Sequence, residues 1–178
     1  EFWQPMVETV HGTIVECNTA YPGERNTTDA HRRTMIKHGW SKLFNVDILD
    51  AEGPDLELPI PNGKRIQKNL VGKDIKNYDS MLVLSHFKGH TMGGFGGALK
   101  QLSIGCASSA GKANIHGAGK PEEMWTTEQN AFLESMADAA ESVVKLFDGK
   151  IVYINVMKNM SVDCDCCAVA EDPCMKDI

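Results

Sequence analysis

A chain of 178 residues, 42% hydrophobic and 24% charged, has the size and makeup of one globular domain able to bury a core. Its formal net charge of -6 argues against nucleic acid as a partner, because a phosphate backbone is met by a basic face. No apolar run approaches the roughly 20 residues that span a bilayer, and Glu1-Phe2-Trp3-Gln4-Pro5 lacks the basic start and apolar stretch of a secretory signal, so no membrane partner is expected.

The first predicted strand covers Gly12 to Cys17, where β-branched residues dominate. A loop over Asn18 to Asn26 carries Pro22-Gly23, and Thr27 or Thr28 then caps a helix through His38 that stops at Gly39. The basic residues of that helix, His31, Arg32, Arg33, Lys37 and His38, read as a solvated face. Val46 to Leu49 completes a strand–helix–strand unit. Leu56 to Ile60 alternates, Pro61-Asn62-Gly63-Lys64 signals a turn and Arg65 to Val71 returns, so a β-hairpin is expected over 56–71.

A buried strand is predicted from Ser80 to Ser85, followed by a short helix at Ala98-Leu99-Lys100-Gln101-Leu102. Cys106 and Lys112 fall in a small-residue stretch that reads as a surface loop. The longest helix should start at Thr126, which has capping-box spacing to Gln129, with Phe132, Met136, Ala139, Val143 and Phe147 along one face and Asp148-Gly149 as its stop. Lys150 to Met157 is the last strand. This order predicts one α/β domain over residues 1–178: a mostly parallel central sheet flanked by helices, with an inserted β-hairpin. The chain lacks an initiator methionine and is expected to be a piece of a longer one.

The chemistry concentrates after the strand that ends at Ser85. His86, Lys88 and His90 alternate, so an extended backbone turns all three to one side, where imidazoles can ligate a metal or carry protons and a lysine can act as base or hold an anion. Gly93, Gly94, Gly96 and Gly97 lead towards a helix and offer amide N–H groups to an anionic ligand, although their spacing is neither a P-loop nor a dinucleotide fingerprint. Lys112 and His116 are further candidates for binding that anion, and Cys17 reads as a buried apolar residue. Four of the six cysteines, Cys164, Cys166, Cys167 and Cys174, cluster at the end of the chain, which suits metal or redox chemistry better than a disulfide framework. If parallel strands bring their ends together, Cys164 and Cys166 can share a metal with His86 and His90.

The run SHFKGHTMGGFGGALKQLSIGCASSAGKANIH, with TIVECNTAYPGERNTT before it and YINVMKNMSVDCDC after it, resembles the uncharacterised iron–sulfur-centre protein family of bacteria and archaea, carried as a domain of unknown function. The resemblance extends over nearly the whole chain. It implies an α/β domain, a cytoplasmic setting and an iron–sulfur association, with no established substrate. The ferredoxin-like insertion that many members carry after the position of His116 is absent here, where Gly117-Ala118-Gly119-Lys120-Pro121 runs into the long helix. Asp163-Cys164-Asp165-Cys166 matches the family pattern, while Cys167 and Cys174 are extras.

Three functions follow. The first is a redox protein holding an iron–sulfur cluster or a single metal ion on Cys164 and Cys166 with His86 and His90. The second is an enzyme acting on a small anionic substrate, with His86, Lys88 or His90 as acid and base and glycine N–H groups on the anion. The third is a binding or scaffold protein without catalysis.

Overall fold

A computed structural model describes residues 2–158 and residue 160. In chain order its elements are α1 (Gln4–Thr9), β1 (Ile14–Glu16), α2 (Thr28–Lys37), α3 (Trp40–Leu43), β2 (Val46–Ile48), β3 (Leu56–Pro59), β4 (Lys68–Val71), β5 (Met81–His86), β6 (Lys88–His90), β7 (Gly94–Gly96), α4 (Ala98–Lys100), α5 (Ser109–His116), α6 (Gln129–Leu146) and β8 (Ile151–Val156). The fold is α/β. None of its described helices is long and apolar enough to cross a membrane.

The strand–helix–strand unit forms as the sequence predicts. Thr27 accepts from the amide of Ala30, α2 crosses over, and β1 lies parallel to β2 with Ile14 opposite Val46 and Glu16 opposite Ile48. Gly39 ends this passage at φ 78°, a conformation that costs glycine little. The second parallel pair runs from Met81 opposite Ile151 to His86 opposite Val156, joining β5 to β8. Among the described residues the strands form four two-stranded ladders, two of them parallel, in place of one continuous central sheet. The interruption falls between β1 and β5, where Ile14, Val15, Leu82 and Leu84 line a cleft of about 640 Å³.

β3 and β4 pair antiparallel, Leu56 opposite Val71 and Pro59 opposite Lys68, but the returning strand begins at Lys68 and not at Arg65. The cause is Asp138 on α6. Its carboxylate accepts from the backbone amides of Lys64 at 3.0 Å, Arg65 at 2.7 Å and Ile66 at 3.1 Å, so those amides leave the ladder and dock the loop on the helix. Glu134, one turn earlier, pairs with Lys64 and Arg65 over the same loop.

α6 buries the expected stripe, with Phe132, Ala139 and Val143 fully enclosed and Met136 and Phe147 nearly so. It starts later than Thr126, however. Glu128 is the cap and accepts from Asn130 and Ala131, while the hydroxyls of Thr126 and Thr127 bond back to the carbonyl of Glu123. The stretch around Lys112 is likewise no surface loop but helix α5, capped by Ser108, whose side chain accepts from Gly111. A Cβ on Gly111 would sit 2.1 Å from the carbonyl oxygen of Leu70, so α5 rides directly on β4 only because that position is glycine.

Removing the Asp138 carboxylate strands three amides at once. Hydrogen bonds to charged groups contribute about 1.5–3 kcal/mol each and do not add fully, so Asp138→Ala should cost about 3 kcal/mol, read as a lower urea midpoint. An unchanged midpoint would show that the loop is held by other contacts.

Candidate functional site

The site is assembled at the end of β5. Beyond His86 the chain continues as β6, which pairs antiparallel with β7: Lys88 faces Gly96 and His90 faces Gly94. Strand alternation puts Lys88 and His90 on one face. Phe87 and Phe95 pack with ring centroids 5.4 Å apart at a 33° tilt and brace the ribbon. Gly96 gives the lysines room, since a Cβ there would meet the Lys88 side chain at 3.4 Å and that of Lys100 at 3.8 Å.

Two imidazoles converge on Phe132 of α6. The His116 ring lies 4.9 Å from it at 22° and the His90 ring 6.4 Å from it at 27°. Their surroundings give them opposite tautomers. The Gly93 amide donates to His90 Nδ1 at 2.9 Å, so that nitrogen keeps its lone pair and Nε2 carries the proton of the neutral ring. His116 Nδ1 lies 2.7 Å from the Lys112 carbonyl, which only accepts, so Nδ1 carries the proton and Nε2 is left basic. Burial pushes the His90 pKa down to about 4, helped by the charges of Lys100 and Lys88 and by His116. Burial also lowers His116, partly offset by its bond to Lys112, with Lys100 and Lys112 adding to the depression. Both rings are neutral at pH 7.

His86 points elsewhere: its Nε2 meets the carbonyl of Lys158 at 2.7 Å. Two amides in and just after the glycine run are used inside the protein. Gly93 serves His90, and the Ala98 amide that opens α4 goes to Asn155 Oδ1 at 3.0 Å. Gly94, at φ 73°, makes the turn into β7. Gly97 packs against Asn155 and Phe87, where an added Cβ would lie 3.2 and 3.3 Å away. Past α4, residues 101–105 widen into a π-helical turn, a departure from regular helix common beside functional sites.

Lys112 is 8% exposed and donates from Nζ to the Ala107 carbonyl at 2.6 Å. Its charge reaches Glu16, Cys17, Cys106 and His31 as well as His116. Cys17 and Cys106 are buried, as read for Cys17, and burial raises both thiols, Cys106 to about 12. His31, expected on a solvated face, is instead 2% exposed, drawn inward by the bond between its Nδ1 and Asn18 Oδ1 at 3.2 Å.

Cys164, Cys166, Cys167 and Cys174 lie outside the described residues. Among the described residues no three His, Cys, Asp or Glu side chains converge to hold a metal ion, and His90 Nδ1 is already engaged. The described residues therefore do not by themselves fit a metal ion or an iron–sulfur cluster.

The whole chain, residues 1–178, matches the family described as Domain of unknown function (DUF362). The chain belongs to DUF362. No curated protein and no solved structure matches it. In this DUF362 chain the sequence had marked Lys88, His90, Lys112 and His116, and the fold brings His90 and His116 onto Phe132, with the charges of Lys88 and Lys100 acting on His90. Lys100 went unmarked although it stands three residues after the last glycine, and Phe132 read only as core.

The neutral state of His90 links stability to pH. The unfolded ring takes a proton near 6.5 and the folded ring near 4, so between these values the unfolded state binds more protons. This contribution is complete above pH 6.5 and is lost as the pH falls towards 4. Acid titration of urea midpoints should accordingly show a shallower decline for His90→Gln than for the parent; equal slopes would contradict a buried neutral ring.

Proposed function

We propose that this DUF362 protein is an enzyme that moves a proton on a small anionic substrate, with His116 Nε2 as the base and His90 Nε2–H as the donor to developing negative charge. The carrying observation is the fixed pair of opposite tautomers beside Phe132, set by the Gly93 amide and the Lys112 carbonyl. A neutral imidazole that donates to an oxyanion, next to a second that accepts a proton, suits abstraction beside a carbonyl. The proton would pass from carbon to His116 while charge accumulates on the carbonyl oxygen facing His90, and His116 would return it. Lys88, Lys100 and Lys112 supply a positive field that favours an anion over a neutral competitor. This reading keeps Lys88 and His90 and moves the base to His116, with His86 turned to Lys158. The metal reading would rest on Cys164 and Cys166, which lie outside the described residues, together with His86 and His90.

Exchange of substrate C–H for deuterium in D₂O, followed by NMR over a panel of small keto and phosphorylated carboxylates, tests the proposal. His116→Gln should slow exchange about 10²–10⁴-fold, the usual contribution of a positioned base. His90→Gln should cost about 10²–10³-fold in kcat with little change in KM, as for loss of an oxyanion donor. Exchange undiminished in His116→Gln would overturn the assignment. Iron or zinc that copurifies with the parent and is lost in Cys166→Ala would favour the metal reading instead.

A further inference from the structure

A second polar cavity lies apart from Phe132, between the β1–β2 ladder and α2–α3. It measures about 410 Å³, the size of a small-molecule site, and is lined among others by Glu16, Arg25, His31, Thr34, His38 and Trp40. Neither His90 nor His116 touches it.

Thr34 and Glu24 of its lining are satisfied, by the carbonyls of Glu24 and Ala30 and by Lys37, whereas Glu16, Arg25 and His31 Nε2 have no protein partner among the described residues. The Asn18 side-chain amide donates to Thr28 Oγ1 at 3.1 Å, which leaves Asn18 Oδ1 as an acceptor facing His31 Nδ1 at 3.2 Å. His31 Nδ1 therefore carries the proton, and Nε2, on a residue that lines the cavity, keeps its lone pair with no donor among the described residues. Asn18 is itself fixed, because its backbone amide donates to Asp50 Oδ1 at 2.9 Å. The Glu16 carboxylate, at the end of β1, makes no hydrogen bond or ion pair within the described structure, and burial raises its pKa against the opposing charges of Arg25 and Lys112. Arg25 acts electrostatically on both Glu16 and His31 without forming an ion pair with either. Its loop is anchored on both sides, by the Thr19 amide on the Arg25 carbonyl at 2.9 Å and by the Thr34 hydroxyl on the Glu24 carbonyl at 2.9 Å.

Glu24 also lines the cavity but is paired with Lys37, so two open acceptors, Glu16 and His31 Nε2, and the Arg25 guanidinium define the ligand that completes them. We infer that this cavity binds a small carboxylate bearing an adjacent hydroxyl or ammonium group, with the carboxylate on Arg25 and the neighbouring donor on Glu16 and His31. A guanidinium pairs with a carboxylate in bidentate fashion. A phosphate dianion would meet the Glu16 carboxylate, and a plain carboxylate would leave the half-buried Glu16 and the buried His31 acceptor unsatisfied, which is costly. The site stands independently of the proton-transfer reading, since it shares no lining residue with the His90–His116 pair.

The experiment is NMR titration of the full chain, labelled with ¹⁵N in its histidine rings, with sodium L-lactate, L-alanine and sodium acetate. Lactate or alanine should shift the His31 Nε2 resonance, and acetate should bind at least tenfold more weakly. Lactate alone would assign a hydroxyl donor and alanine alone an ammonium. Arg25→Ala, at an exposed loop position, should weaken binding at least tenfold while leaving the circular dichroism spectrum unchanged. Glu16→Gln should weaken alanine more than lactate. Silence of His31 towards both compounds, acetate binding as tightly as either, or equal affinity in Arg25→Ala would overturn the inference. A His31 ring protonated on Nε2 in the free protein would overturn its geometric basis.

Discussion

The carbonyl of Leu70 is the contact on which both polar regions depend. It accepts from the Ser108 amide at 3.0 Å and from the Ser108 hydroxyl at 2.8 Å, and Gly111 presses against it with no room for a side chain. α5 is thereby set on β4 at one position and one angle. At its start, Ser109 donates its amide to Asp50 at 2.8 Å and its hydroxyl to the Thr19 carbonyl at 2.9 Å, tying the helix to the end of β1. At its end, His116 reaches Phe132. A shift of α5 would displace Lys112 from Glu16 and His116 from His90 together.

The charge distribution follows from this seating. The whole chain carries a formal net charge of -6, yet Lys88, Lys100 and Lys112 act together near the imidazole pair. A local positive field inside an acidic protein can steer a small anion inward while the remaining surface repels acidic macromolecules. Desolvation and cationic neighbours push both imidazoles the same way, towards the neutral ring, so each becomes either a donor or an acceptor according to its backbone partner. Neither ring needs a carboxylate to fix its tautomer; the backbone does so.

Much of the frame was legible from local signals. Thr27, Gly39 and Asp148-Gly149 mark ends through backbone geometry that a few residues dictate, and the spacing of Phe132, Met136, Ala139 and Val143 exposes the buried face of α6. What escaped was set by residues far apart in the chain. The turn over Ile60–Gly63 forms as its residues predict, but Asp138, more than 70 positions later, takes the three amides that follow and delays the returning strand. His31 sits in a basic run, and only the partner Asn18 explains why it turns inward. Within the site, alternation was read as turning His86, Lys88 and His90 to one side, and His86 instead bonds to Lys158; nothing local links His116 to His90, because Phe132 joins them from a third element. The glycines were read as an anion cradle; the amide of Gly93 instead serves His90, and that of Ala98, just after the run, serves Asn155.

The two buried thiols have a bearing on how this protein meets oxidants. Cys17 hands its proton towards the carbonyl of Cys106 at 3.5 Å, and burial keeps both sulfurs in the protonated form at neutral pH. Peroxides, disulfides and alkylating reagents all react with thiolate, and enclosed thiols of this kind offer almost none. Cys17 and Cys106 are therefore packing residues that lie beside a lysine without becoming reactive, and the core they fill is spared the covalent damage that a more exposed sulfur would invite.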